Sequence, residues 1–376
     1  MKHPSLRAYL YTAAAAALLL IPLQTRATPG TFVPAAGRRD MAYDQQRGVL
    51  YITSGADLLR YSVTSNAFLP SWSLGGSLAG IDLSPDGNRL AVADSTRTEG
   101  QVWIHDVDLQ TGVSRKAYFD RSFGEGGTFS VAFGGDGAVV TSSTFEGSGW
   151  TPLRRYDPAT GATSVLTPGG MGSDYVTQDC MLSASADGSV IGFEESDISD
   201  GRFGRYRVAD RSLLRKQWYA DGTSWFNYEI GVSRNGTQYA LPTYGGAYIC
   251  DADLHKNAII GAYAGGQPVG VAYSPVADIV YFPWAGTNEI RSYDTNTLKQ
   301  IGSFDFGGQF YSPGNHAFQM GRLKMSRDGT LLFSTVNGGV RFMRVADPVP
   351  EPTSALLLLA GAIPAIGVWR RRAARQ

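Results

Sequence analysis

The chain has only two cysteines, Cys180 and Cys250, in 376 residues. This scarcity excludes a fold held together by a network of disulfides, because at most one bond can form. In the repeat described below, Cys180 falls at the start of one unit and Cys250 lies deep within the next. The favoured interpretation is two buried thiols that pack as small apolar residues, and a single disulfide is the alternative.

Charge is also scarce, at 18% of residues, and the 33 lysines plus arginines equal the 33 aspartates plus glutamates. A chain without net charge gives no electrostatic reason to expect nucleic acid as a partner. By contrast, 46 glycines and 19 tyrosines indicate many tight turns and aromatic-rich strands. Because stretches of helical periodicity are few, the composition predicts an all-β fold.

The N-terminus has the plan of a secretory signal peptide. Lys2 and Arg7 precede an apolar core at 13–23, and small residues at Thr25 and Ala27 fit a cleavage site. Residues 1–27 are therefore expected to form a signal helix that is removed on export. An uncleaved anchor is the alternative, although the apolar run is short for a membrane span.

A strand-turn-strand unit recurs seven times, with 39 to 51 residues between successive turns. Two examples are IDLSPDGNRLAVAD at 81–94 and LKMSRDGTLLFST at 323–335. The turn positions are Gly48, Gly87, Gly137, Gly188, Gly236, Asp278 and Gly329. Asp-Gly and Asn-Gly favour tight hairpins because both central positions accept a positive φ. The flanking runs alternate or are β-branched, as buried strands do.

A third strand and then a fourth follow each unit, for example EIRSYDT and KQIGSFDF at 299–306. Four strands at this period predict a seven-bladed β-propeller of four-stranded antiparallel blades over residues 28–346. The seventh copy ends after its third strand, and a spare β-prone stretch precedes the first copy. Thr31 to Pro34 are therefore expected to supply the missing outer strand, which would close the ring and remove its exposed edges.

The SPDG hairpins and the Asp-x-x-Thr-Gly third turns over about 38–346 resemble the YVTN family of surface and periplasmic propellers. They also resemble lactonase-type and quinoprotein-type propellers more broadly, whereas the WD dipeptide of WD40 proteins is absent from the third strands. The resemblance implies a fold and not an activity, because propellers include enzymes, binding proteins and scaffolds.

No motif predicts catalysis, a cofactor or a metal centre. There is no G-x-S-x-G elbow and no P-loop, and the acidic residues and histidine of a lactonase-type centre cannot be matched residue by residue. His105, His255 and His316 lie in different copies and are expected at the surface. The run EESDISDG at 194–201 has oxygen ligands that suit Ca²⁺, but a solvated acidic loop is the favoured interpretation.

Aromatic residues are concentrated in the loops expected on one face of the ring. Beside amide and carboxylate groups, such residues suit sugar rings, so they form a candidate ligand-binding surface. The alternative is that they pack between blades. The candidates are Trp150, Trp225, Phe226, Tyr228, Tyr244, Trp284 and Tyr311, with Phe310 and His316 beside them.

The C-terminus at 347–376 carries Pro350-Glu351-Pro352, an apolar run with helical character and an arginine cluster. This order resembles the PEP-CTERM sorting signal of Gram-negative bacteria. The resemblance implies processing by an exosortase and display at the cell surface, commonly in bacteria that make exopolysaccharide. Arg370, Arg371 and Arg372 would stay in the cytoplasm as a membrane stop. A permanent single-span anchor is the alternative.

The sequence therefore predicts an exported propeller that is transiently anchored in the inner membrane and then released to the surface or medium. The favoured function is non-enzymatic binding or scaffolding in the envelope or exopolysaccharide matrix. The alternative is a propeller hydrolase, lactonase or lyase that acts on a sugar-type substrate.

Overall fold

A computed structural model describes residues 30–167, 176–196, 201–216, 227–261, 266–311, 318 and 321–345. The predicted signal helix at 1–27 and the C-terminal segment at 347–376 lie outside these residues, so the prediction of two terminal helices stays a prediction. The described residues form β-strands, turns and loops. No helix among them is long and apolar enough to cross a membrane.

Seven four-stranded antiparallel sheets follow one another along the chain, as the repeat predicts. Strand β1 (Thr31–Pro34) comes first in sequence but belongs to the last blade. Blade 1 contains β2 (Arg38–Asp44), β3 (Val49–Ser54), β4 (Asp57–Ser62) and β5 (Ala67–Ser73). Blade 2 contains β6 (Leu78–Leu83), β7 (Arg89–Asp94), β8 (Gln101–Asp108) and β9 (Ser114–Asp120). Blade 3 contains β10 (Glu125–Phe133), β11 (Val139–Phe145), β13 (Arg154–Asp157) and β14 (Ala162–Val165). A short pair, β12 (Trp150–Thr151) with β15 (Val176–Thr177), lies beside blade 3.

Blades 4 to 7 repeat the pattern, with shorter inner strands in the last three. Blade 4 contains β16 (Cys180–Ala184), β17 (Val190–Glu195), β18 (Phe203–Arg207) and β19 (Ser212–Lys216), and blade 5 contains β20 (Gly231–Val232), β21 (Gln238–Thr243), β22 (Gly246–Asp251) and β23 (Lys256–Ile260). Blade 6 contains β24 (Ala272–Tyr273), β25 (Ile279–Pro283), β26 (Glu289–Asp294) and β27 (Gln300–Asp305). Blade 7 contains β28 (Leu323–Met325), β29 (Leu331–Val336) and β30 (Gly339–Arg344), together with β1. The innermost strands of blades 1 to 7 are β2, β6, β10, β16, β20, β24 and β28, and in blade 7 the strand β1 is the outermost.

The last blade is closed by the first strand of the described chain, which confirms the predicted role of Thr31 to Pro34. Strand β1 pairs antiparallel with β30, from Thr31 opposite Phe342 to Pro34 opposite Gly339. Val33 is fully buried in this seam. Arg38 then donates from Nε to the Val336 carbonyl at 3.0 Å, which ties blade 1 to blade 7. The outer edge of β30 is therefore paired at the closure point of the ring.

The first hairpin of blade 2 differs in detail from a tight turn with positive φ at both central positions. Ser84 N donates to the Arg89 carbonyl at 2.9 Å, so four residues form the loop. Within it, Ser84 Oγ donates to Asp86 at 2.6 Å and accepts from Arg89 N at 2.9 Å. Only Gly87 has a positive φ, of 72°. The expectation of two positive-φ residues was wrong because a longer loop places just the glycine in the left-handed region.

The core is divided among the interfaces between blades. Seven clusters of buried apolar side chains each draw most of their residues from two neighbouring blades, and one of them joins blade 7 to blade 1. Because every blade packs on both sides, the inner strands are held at fixed positions around the axis. Cys180 and Cys250 are both buried and form no disulfide, as the favoured interpretation predicted.

Candidate functional site

A cavity of about 800 Å³ lies on the axis of the ring and opens at the face of the hairpin turns. All seven blades contribute to its wall through residues of their innermost strands. Taken one per blade, the lining residues include Tyr43, Asp82, Phe133, Ser183, Gly231, Tyr273 and Lys324. A cavity of this volume is in the range of sites for small ligands.

Two groups of opposite charge, Asp82 of blade 2 and Lys324 of blade 7, line this cavity. Asp82 Oδ2 accepts a hydrogen bond from the Phe133 backbone N at 2.8 Å. Burial raises the pKa of the Asp82 carboxyl, against the opposing effect of the Lys324 charge. The Lys324 ammonium makes no hydrogen bond or ion pair to the described residues. It is therefore available to an incoming anionic or hydroxylated group.

Arginines surround the opening of the cavity. Arg327 donates to the Pro85 and Ser84 carbonyls, each at 2.5 Å, and so reaches from blade 7 to blade 2. Arg234 of blade 5 pairs with Asp278 at 2.7 Å. These guanidinium groups add positive charge to the opening, although their hydrogen bonds also serve to fix the turns.

A buried ionic cluster lies one layer deeper along the channel. Arg322 Nη1 donates to Glu229 Oε1 at 2.7 Å, and Nη2 donates to Asp40 Oδ2 at 3.0 Å. Arg322 precedes Lys324 by two residues, so both side chains leave the inner strand on the same side. A register shift between Arg38 and Met41 allows Asp40 to reach the same layer. We call Asp40, Glu229 and Arg322 the axial triad.

The axial triad is buried away from solvent, and this burial changes the pKa of Glu229. All three side chains are at most 6% exposed. Burial raises the pKa of Glu229 to about 7, although the positive charges of Arg322 and Lys324 act to lower it. The Phe318 ring centre lies 5.4 Å from the Arg322 guanidinium carbon. The triad is therefore a buried cluster, and none of its three residues is among those that line the cavity.

A second polar network lies within blade 2, around Asp94. Its carboxylate accepts from Ser77 N, from Thr96 N and Oγ1, from Trp103 Nε1 at 2.9 Å and from His105 Nε2 at 3.0 Å. Burial alone would raise the pKa of Asp94, but the bonds from His105, Thr96 and Ser77 outweigh it and hold the pKa well below its usual range. Such a saturated carboxylate stabilises the blade.

This network corrects one prediction about the histidines. His105 is 1% exposed, so its expected surface position is wrong, because its ring is needed inside the blade as a partner of Asp94. His255 is exposed beside Asp251, as predicted. His316 lies outside the described residues.

Among the aromatic residues predicted to form one surface, some are buried in the structure and others are exposed. Trp284 and Tyr228 are buried between blades, and Trp284 packs against Arg291 at 4.1 Å. Tyr244 and Tyr311 are about half exposed, at 50% and 47%. The remaining predicted positions are Trp150, which is partly buried, Phe310, which is fully buried, and Trp225 and Phe226, which lie outside the described residues. Ligand binding by the exposed members stays a prediction.

The acidic run at 194–201 also departs from its favoured interpretation. Glu194 and Glu195 are 0% and 1% exposed, so its beginning is buried in blade 4 and is not a solvated loop. Residues 197–200 lie outside the described part. Burial follows from strand β17, which continues to Glu195 and pairs with both of its neighbours.

The charged residues of the channel were missed from sequence, yet they carry a positional signal. Asp82 and Lys324 both stand five residues before their turn glycine, and Glu229 and Arg322 both stand seven before theirs. Aligning the seven copies by turn would have shown charge at inner-strand positions that are apolar or small in most copies. That pattern indicates side chains that face an axial cavity.

The closed ring and its lined axis define a seven-bladed β-propeller with a central cavity. A solved structure of hydrazine synthase from Kuenenia stuttgartiensis is similar, with a TM-score of 0.61 over 86% of this chain and 99% of that chain. The two are 13% identical, so the similarity is one of fold alone. No protein-family model and no curated protein matches the sequence.

Proposed function

We propose that this propeller is an exported, non-enzymatic binding protein of the cell envelope or exopolysaccharide matrix, and that its ligand enters the axial cavity. The observation that carries the proposal is the cavity itself, to which all seven blades contribute, with a Lys324 ammonium that has no hydrogen bond or ion pair among the described residues. A ligand held on the axis contacts a rigid wall, because every blade is packed on both sides.

The chemistry of the wall favours a hydroxylated ligand with a negative group, such as the end of an acidic saccharide. Tyr43, Phe133 and Tyr273 offer aromatic surface to the C–H face of a sugar ring. Asp82 can accept from hydroxyl groups, and Lys324 can pair with a carboxylate. The exposed Tyr244 and Tyr311 extend the candidate surface elsewhere on the ring.

Binding is tested by titrating the purified mature protein with acidic and neutral oligosaccharides from extracellular polysaccharide, using calorimetry. Lys324→Met is expected to weaken binding of the acidic ligand at least tenfold, because it removes the only free cation described on the cavity wall. Lys299→Met, on the exposed outer turn of blade 6, is the matched control and should bind as wild type. Unchanged binding by Lys324→Met would place the ligand elsewhere.

We also propose that the C-terminal segment sorts the protein to the surface through an exosortase-type enzyme. The resemblance to PEP-CTERM signals supports this, together with the last blade, whose third strand ends at Arg344 just before the segment. Intact-mass analysis of the native protein should show loss of the signal peptide and cleavage near Pro350-Glu351-Pro352. A mature form that retains Gln376 in the membrane fraction would support the permanent anchor instead.

A hydrolase or lyase acting on a sugar-type substrate is the second candidate, and the axial triad favours it. A carboxyl with a pKa of about 7 beside an arginine suits general acid-base catalysis at neutral pH. However, Glu229 is buried and already paired with Arg322, so a substrate would have to displace that ion pair. Loss of turnover in Glu229→Gln, with ligand binding retained, would support catalysis over binding.

A further inference from the structure

Glu194 is a buried carboxylate without a partner. Its side chain is fully buried, and neither Oε1 nor Oε2 accepts a hydrogen bond in the described structure. Arg202 is its nearest basic neighbour in sequence, yet no ion pair joins the two. A buried carboxylate in this condition must either hold a proton or receive a cation from outside the chain.

The direction of the Glu194 side chain follows from the strand that carries it. A Cβ built on Gly192 would meet Val232 at 2.7 Å and Ile230 at 3.0 Å, both on blade 5. Glu194 lies two residues further along β17 and therefore points to the same side. Its carboxyl thus faces the interface between blades 4 and 5.

A second unpartnered oxygen lies on the blade 5 side of this interface. Asn227 is 2% exposed, and its Nδ2 donates to the Gly201 carbonyl at 3.2 Å. That bond fixes the amide so that Oδ1 points elsewhere, and Oδ1 accepts no hydrogen bond from the part of the chain that the structure describes. Gly201 also connects the two sides, because a Cβ there would meet both the Glu195 carbonyl and Asn227 Nδ2.

The titratable groups that act on Glu194 are acidic. Burial, followed by the charges of Glu229 and Glu195, raises the pKa of Glu194 well above its usual range. Cys180, opposite Glu195 in the strand pair, is a neutral thiol whose pKa is also raised by burial and by both glutamates. Arg322 is already shared between Asp40 and Glu229. The groups that act on Glu194 are thus acidic, and no basic side chain among the described residues forms an ion pair with it.

We propose that Glu194 and Asn227 bind a hard divalent cation, with Ca²⁺ as the best fit, at the interface of blades 4 and 5. Ca²⁺ takes carboxylate, amide and backbone oxygens together with water, and Glu194 and Asn227 supply a carboxylate and an amide oxygen. No three His, Cys, Asp or Glu side chains converge as a metal-ligand set within the described ranges. The site thus has few charged ligands, and binding in the range of about 10⁻⁴–10⁻³ M, typical of extracellular modules, is expected.

The test is thermal unfolding of the mature protein after removal of metal with EDTA, followed by titration with CaCl₂ at constant ionic strength. Saturating Ca²⁺ should raise the wild-type Tm by about 2–5 °C, since a ligand that binds only the folded state stabilises it. Glu194→Gln should lose this response while its metal-free Tm equals or exceeds that of wild type. Asn227→Leu should also lose the response.

Glu99→Gln, at a highly exposed carboxylate, is the control and should respond to Ca²⁺ as wild type. A wild-type Tm that does not change with Ca²⁺, or a Glu194→Gln variant that responds normally, would overturn the proposal. A higher Tm for Glu194→Gln in EDTA with no wild-type response to Ca²⁺ would identify Glu194 as a neutral buried acid and would also overturn it. None of these outcomes depends on the ligand of the axial cavity.

Discussion

Blades 2 and 4 each bury a carboxylate at the end of the second strand, and the two carboxylates are treated in opposite ways. Asp94 stands seven residues after Gly87, and Glu194 stands six after Gly188, so they occupy neighbouring positions of the same repeat. Asp94 accepts five hydrogen bonds, whereas Glu194 accepts none in the described structure.

The difference shows that the same region of the repeat can stabilise one blade and, in another blade, leave polar atoms for a ligand. In blade 2 every donor around Asp94 is internal, so the carboxylate is complete without a ligand and its pKa is lowered. In blade 4 the same region leaves oxygen atoms unsatisfied and the pKa of Glu194 is raised. Glu194 is the carboxylate of which both oxygens are buried without a hydrogen bond among the described residues, and because such groups are rare in folded proteins it points to a role beyond packing.

The largest expected effect comes from removing Asp94, the carboxylate whose hydrogen bonds are all formed within blade 2. Asp94→Ala should lower the free energy of unfolding by about 3–5 kcal/mol, because it leaves Trp103, His105 and backbone donors buried without acceptors. Urea unfolding followed by fluorescence measures this change.

The control is Asp210→Ala, which removes a carboxylate from an exposed pair with Arg207 and should change stability little. If the two variants unfold at similar urea concentrations, the Asp94 network does not stabilise blade 2.

A second prediction uses pH to distinguish Glu229, a carboxyl whose pKa is raised on folding, from Asp94, whose pKa is lowered. The pKa of Glu229 rises from 4.5 to about 7 on folding, so between these values the folded chain binds more protons than the unfolded chain. Stability from this group is therefore lost as pH rises from about 4.5 to 7, by up to roughly 3 kcal/mol. Asp94 acts oppositely, because its lowered pKa makes stability fall as pH falls below its unfolded value.

Urea midpoints measured in EDTA across this pH range provide the test. Glu229→Gln should flatten the decline between about pH 5 and 7, and Glu99→Gln should leave the decline as in wild type. A wild-type stability that rises steadily over this interval would contradict a raised pKa for Glu229.

The fold could be predicted from sequence because its signals are local and repeated. Six of the seven hairpins have a turn glycine and five begin with a serine, as with Ser84 and Gly87, so the repeat is clear even where one copy differs. Even the closure of the ring followed from a missing strand at one end and a spare strand at Thr31–Pro34.

The sites could not be predicted in the same way because they depend on contacts between blades. Trp284 and Tyr311 both lie in aromatic loops, yet one is buried against a neighbouring blade and the other is half exposed. Likewise, whether Glu194 finds a partner depends on Asn227 and Glu229 of the next blade, 33 and 35 residues away. Periodicity gives the side of the strand but not what packs against it.

The smallest expected effect sharpens the comparison by removing one of the five bonds to Asp94. Trp103→Phe deletes the indole N–H that donates to Asp94 Oδ2, and Trp72→Phe is its matched control. Both indoles lie under a cation, Lys116 at 4.0 Å and Arg60 at 4.1 Å, but the Trp72 N–H makes no hydrogen bond to the described residues. The difference in free energy of unfolding between the variants should thus isolate the hydrogen bond, at about 1–3 kcal/mol for a charged acceptor. Equal losses of unfolding free energy in the two variants would mean that the four remaining hydrogen bonds satisfy Asp94 by themselves. The stabilisation of the Asp94 carboxylate in blade 2 would then be smaller than its five hydrogen bonds suggest.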